Sequence, residues 1–150
     1  MNNFTTCLVL SSLLAATACT VTTGTDIDAT QLSGLVAGQP WTLQVGQTDG
    51  FLSANQSDFF ATLYPSAFSP CGFSEPSGPH LLVSIPKTPG DYSMGFSRTM
   101  TFVDGDLNMV AVDGRIVVDS VSSDRVTGGL HGTYDFDNEV SGQFDIQVCP

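Results

Sequence analysis

VSGQFDIQV, residues 140–148, alternates along its whole length. Val140, Gly142, Phe144, Ile146 and Val148 face one way, and Ser141, Gln143, Asp145 and Gln147 the other. A period of two is the signature of a strand with one buried face. Just upstream, Leu130, Gly132, Tyr134 and Phe136 share a face opposite His131, Thr133 and Asp135. Asp137-Asn138 separates the two runs, and both residue types tolerate the positive φ of a tight hairpin turn. The pair predicts a β-hairpin with one apolar side.

The same grammar extends toward the amino terminus. Asp113-Gly114 separates MVAV from RIVV, Asp104-Gly105 separates MTFV from DLNMV, and Pro89-Gly90 separates HLLVSIPK from DYSMGF. Asp49-Gly50 follows a run from Trp41 to Val45. These signals place strands near 40–47, 58–64, 80–85, 91–96, 99–103, 107–112, 115–121, 125–136 and 139–148. Short strands with turns at this spacing predict an all-β fold: an antiparallel β-sandwich or flattened barrel of eight or nine strands, closed by one disulfide. Sequential hairpins favour a meander. Ser57–Ala67 also fits helical spacing, with Ser57 as a cap, but Pro65 would break a helix early and the aromatic content favours a strand.

The chain has 150 residues, with 15 Asp and Glu against 4 Lys and Arg, for a net charge of -11. That length suits one domain. Phosphate backbones are held by clustered Lys and Arg, so this balance argues against nucleic acid as a partner.

Phe4–Ala18 carries no charge and is shorter than the ~20 residues of a spanning helix, which suits a secretory signal. Ala16-Thr17-Ala18-Cys19 resembles a bacterial lipobox, with Ala16 where Leu is usual. The resemblance implies a signal over 1–18, diacylglycerol on Cys19, and a lipid anchor to the membrane; the lack of Asp after Cys19 implies the outer membrane. The alternative is an ordinary signal cleaved nearby, with Cys19 incidental. Residues 19–33, rich in Thr and Asp, read as a tether able to span on the order of 20 Å, or with 32–36 already forming a strand. Residues 34–150 make the folded domain.

Four cysteines are present. If Cys7 leaves with the signal and Cys19 carries lipid, Cys71 and Cys149 remain, and an oxidising compartment pairs them. Two distant thiols do not make a zinc site.

Several features then fall in order: the lipobox cysteine, Gly38-x-x-Trp41, Cys71, Pro89-Gly90-x-Tyr92, Arg125-Val-Thr-Gly128, and Val140-Ser-Gly142-Gln-Phe144 running into Cys149. This order resembles small bacterial envelope lipoproteins of unknown function with an antiparallel β domain, over most of 34–149. These motifs are turns, glycines and a disulfide, so the resemblance implies a fold and an address but no catalytic residues. Gly38-x-x-Trp41 is also similar to the lipocalin opening with one residue inserted, which leaves a small apolar-ligand carrier as the alternative.

Candidate sites are few. Asp104, Asp106 and Asn108 place oxygens alternately as a calcium loop does, but an EF-hand needs Gly sixth and Glu twelfth, and Met109 and Arg115 stand there. Asp135, Asp137, Asn138 and Glu139 form a second oxygen cluster. Both read first as solvated turns, with weak calcium binding as the alternative. His80 and His131 have no Gly-x-Ser-x-Gly elbow to serve and too few companions for a metal. Phe51, Phe59, Phe60, Tyr64, Phe68 and Phe73 crowd one region, and Phe59, Phe60, Tyr64 and Phe68 are candidate contacts for a sugar or a protein. No cofactor is implied. The sequence therefore points to a non-catalytic envelope module that meets a protein or a glycan.

Overall fold

A computed structural model describes residues 26–72 and 74–150. The strands, in order, are β1 (Ser33–Val36), β2 (Gln39–Thr42), β3 (Val45–Asp49), β4 (Asp58–Tyr64), β5 (His80–Pro86), β6 (Gly90–Ser93), β7 (Met100–Asp104), β8 (Leu107–Ala111), β9 (Asp113–Val121), β10 (Arg125–Asp135) and β11 (Asn138–Gln147). One helical turn, α1 (Gly50–Ser53), follows β3. The chain is thus almost all β, as the alternation predicts, and within the run 57–67 a strand, β4, forms over Asp58–Tyr64.

The strands form one sheet in the order β6-β9-β10-β11-β3-β4-β5-β7-β8, with the β1–β2 hairpin attached to β11. The sheet curls into a half-barrel, so β8 packs on β10 and β5 on β9. Its neighbours are antiparallel except β11 and β3, which meet in parallel at Gln147 and Gln47. The sheet order holds nine strands, within the expected eight or nine, and the attached hairpin brings the total to eleven because β1 is regular and the run 40–47 is two strands. The break has a visible cause: Leu43 N–H donates to Leu32, while Gln44 N–H donates to Tyr64. The backbone changes partners between those two residues.

Two hairpins that the turn signals predict do not form. Asp113-Gly114 forms the first two residues of β9, which pairs with β6 and β10 and not with β8. Val112 alone separates β8, at one end of the strand order, from β9, near the other. Gly114 is needed for close approach instead of a turn, since a Cβ there would lie 2.3 Å from the His131 carbonyl oxygen. Pro89-Gly90 leads into β6, whose first residue is Gly90 and which leaves β5 and joins β9. Strand β7 takes the place beside β5. Met100 and Phe102 of β7 are fully buried, whereas none of the β6 residues is. A dipeptide fixes where a chain can turn; burial decides which strands then meet. The fold is a meander only in parts. The Asp104-Gly105 and Asp137-Asn138 signals do mark real hairpins, β7–β8 and β10–β11.

The inner face holds the core: Leu63, Leu81, Ile85, Met100, Phe102, Ile116, Leu130, Val140, Phe144 and Ile146 are buried. Alternation in β11 assigns its residues correctly. In β10 the register shifts between Thr133 and Asp135, and Tyr134 and Phe136, read as sharing Leu130's side, stand exposed beyond the core. Gly132 leaves room for a partner: a Cβ there would lie 2.4 Å from Met100 Cε, and the Met94 and Met100 side chains fill that space.

Residues 26–33, part of the span read as a tether, lie against β11. Asp28 N–H donates to Ser141 Oγ, Gln143 Nε2 donates to the Asp28 carbonyl, and Leu32 is fully buried. Cys19 and the signal segment lie outside the described residues.

A groove beside the disulfide

Cys71 and Cys149 are bonded, with Cα atoms 5.3 Å apart. The bond ties the irregular stretch between β4 and β5 to the end of β11, where Cys149 N–H donates to Thr48 Oγ1. That stretch is also fixed from inside. Gln47 is buried; its Oε1 accepts from Cys71 N–H and its Nε2 donates to Glu75 Oε1, both at 2.6 Å. The buried Tyr64 hydroxyl donates to Glu75 Oε2 at 2.9 Å. Tyr64 packs edge-on against Phe68, with ring centroids 5.2 Å apart, and tilted against His80. Burial first, then the hydrogen bond and the charge of Glu75, push the Tyr64 hydroxyl well above the usual phenol range.

Above this layer lies an open groove of about 460 Å³ on the outer side of β3 and β4. Gln47, Thr48, Thr62 and Glu75 offer polar groups along it, and Cys71 and Cys149 form part of the wall. Its rim is apolar and open to solvent: Phe51 is 89% exposed, Leu52 52%, Phe60 45% and Leu82 41%. Alternation explains Phe60 and Leu82. Each is the outward residue of a strand whose next neighbour, Phe59 or Leu81, is buried. Phe51 and Leu52 are held out by α1, whose first turn is capped by Asp49 Oδ1 accepting from Leu52 N–H at 2.7 Å.

The four aromatic candidates therefore divide. Phe60 lines the groove, Tyr64 and Phe68 brace the structure beneath it, and Phe59 lies on the opposite face of β4 with Lys87 Nζ 5.2 Å above its ring. Phe73 lies outside the described residues. Glu75, Gln47 and Leu82 escape sequence reading because their partners are remote in the chain. Phe51-Leu52 carries one local sign, two apolar residues directly after a turn signal.

The oxygen candidates sit at hairpin ends. Asp104 pairs with Leu107 across the β7–β8 turn, and Asp106 and Asn108 are exposed there. At the β10–β11 turn, Asp135 Oδ1 accepts from Asp137 N–H and Asn138 Nδ2, and Asn138 Oδ1 accepts from Ala37 N–H. Those oxygens hold the turn together. Among the described residues no cluster of three or more His, Cys, Asp or Glu could hold a metal ion. His131, read on a polar face, is buried; its Nε2 lies 3.2 Å from Glu139 Oε1, and its Nδ1 has no hydrogen-bond partner. Ser141 faces it in the sheet register, but the Ser141 Oγ accepts from Asp28 N–H. No serine–histidine pair for nucleophilic attack is assembled there.

Charge is distributed unevenly. Arg98 forks onto Asp58, Arg115 forks onto Asp91, Arg125 bonds Asp145, and Lys87 reaches the Ser53 carbonyl and the Phe59 ring. These are all four basic side chains of the sequence. Glu75 has no cation beside it among the described residues. No family model, no curated protein and no solved structure matches the chain.

Proposed function

We propose that the chain is an exported, lipid-anchored envelope protein, held to the outer membrane through Cys19, whose β domain is a non-catalytic module that binds a protein or a glycan in the groove beside the disulfide. The observation that carries this reading is the groove itself. Large apolar side chains stand in solvent around a polar floor that is rigidly held. Exposed apolar side chains rimming a formed concavity are characteristic of ligand and partner sites. A cystine bond and two buried hydrogen-bonding side chains fix the walls beforehand, which reduces the ordering cost of binding. The address is supported by the sequence around Cys19. The apolar-ligand carrier gains no support from the interior, where Met100, Phe102, Leu130 and Phe144 fill the curl.

The test is crosslinking in cells with a photoreactive residue at position 82, and at Ser123 as a control. Partners captured at 82 and not at Ser123 support the reading, whereas equal capture at both positions, or steady turnover of an ester, peptide or glycoside by the purified protein, overturns it. Cys19→Ala is expected to move the protein from the membrane fraction to the soluble one.

A further inference from the structure

We propose that the groove takes a cationic, partly apolar peptide segment, and that the Glu75 carboxylate selects its positive group. This inference rests on the reading of the groove as the binding site. Three observations lead to it.

Glu75 is held by neutral donors alone. Gln47 Nε2 and the Tyr64 hydroxyl each donate to one carboxylate oxygen. Such bonds fix the direction of the group without cancelling its charge. Each oxygen keeps a lone pair for a further donor.

Among the described residues no Lys or Arg lies beside Glu75. Every Lys and Arg is already engaged elsewhere, on Asp58, Asp91, Asp145 or the Ser53 carbonyl. Asp49, a second carboxylate, also lines the groove, on a chain whose net charge is -11. A concave surface of one sign, with apolar walls, concentrates ligands of the opposite sign.

The rim sets the remaining chemistry. Phe60 and Phe51 can stack on a guanidinium or ammonium as well as on a hydrocarbon. Leu52 and Leu82 offer only apolar surface. Sugar sites rely on aromatic faces and dense hydrogen bonding, and half of this rim is leucine. A strand-like segment with an Arg or Lys between apolar residues matches it better: the positive group meets Glu75 while its neighbours rest on Leu52, Leu82 and Phe60. The groove, at about 460 Å³, has room for a few side chains and not for a folded domain.

Three probes would be titrated against the purified full-length chain in detergent: a blocked pentapeptide Leu-Arg-Leu-Lys-Phe, the same peptide with Glu in place of Arg and Lys, and a glucosamine trimer. Circular dichroism and a thiol assay would show that each variant keeps its sheet and its disulfide. Expected is binding of the cationic peptide about tenfold or more above the acidic one, lost by about that factor in Glu75→Gln, whose amide oxygen still accepts from Gln47 Nε2 and whose amide nitrogen can donate to the Tyr64 hydroxyl in place of accepting from it. Phe60→Ala is expected to weaken both peptides together. Equal binding of the two peptides, unchanged by Glu75→Gln but weakened by Phe60→Ala, overturns the selection by Glu75 and leaves the groove as the site. Preference for the glucosamine trimer overturns the peptide in favour of a glycan. Binding indifferent to both variants, or no binding of any probe, removes the groove along with the inference.

Discussion

Tyr64 shows how one side chain serves both packing and chemistry. Its ring is buried against Phe68 and His80, and its hydroxyl holds Glu75. Because burial and Glu75 raise its pKa in the folded state, the folded protein keeps that proton after the unfolded chain has lost it. Stability contributed this way is complete below the unfolded phenol pKa of about 10 and falls as pH rises above it. Denaturant melts at a series of alkaline pH values are expected to show this decline. Tyr64→Phe is expected to flatten it and to lower stability near neutrality by about 1.5–3 kcal/mol, the usual worth of a hydrogen bond to a charged group. A second residue-scale expectation concerns Gly128. A Cβ there would lie 2.0 Å from the Val117 carbonyl oxygen, which is backbone and cannot swing aside. Gly128→Ala is expected to cost about 1–3 kcal/mol or more, read as a lower Tm.

At the scale of elements, the cystine bond does two things at once. It spans a sequence separation of 78, and chain entropy assigns such a loop about 4.5 kcal/mol as an upper figure. It also holds Cys71 where its N–H meets Gln47. Replacing both cysteines with serine is expected to lower stability by about 2–5 kcal/mol and to loosen Glu75. Hydrogen exchange should therefore quicken across 65–79 before it quickens in β10. Single strands were legible because alternation is local: VSGQFDIQV assigns β11 face by face. What escaped was pairing and position. Asp113-Gly114 looks like a hairpin turn and instead opens β9 beside β10, and Pro89-Gly90 leads β6 away from β5 because the buried Met100 and Phe102 hold β7 there. Phe59 and Phe60 look like one patch and occupy two faces, although the period of two already implies it. Glu75 was invisible, since Gln47 and Tyr64 reach it only through the folded sheet.

Over the whole molecule, net charge and sheet edges work against each other. β8 ends the strand order, and Leu107 and Val110 on it are exposed. Such an edge invites another strand, and mutual repulsion at a net charge of -11 opposes that in solution. The sequence pI is near 4.1, so acidification removes the repulsion. Light scattering is expected to rise as pH falls from neutrality toward the pI. Val110→Lys, which places a charge on the edge, is expected to delay the rise.

Strand β11 also sets an order of events. It pairs with β10 on one side and meets β3 on the other, and β1 also leans on it. It is also the last of the eleven strands to leave the ribosome. Until it arrives, a nascent chain holds three sets of ribbon not yet paired to one another, β6-β9-β10, β3-β4-β5-β7-β8 and the β1–β2 hairpin. Vulnerability to proteases and to chaperone capture should end abruptly, when the final segment threads between them.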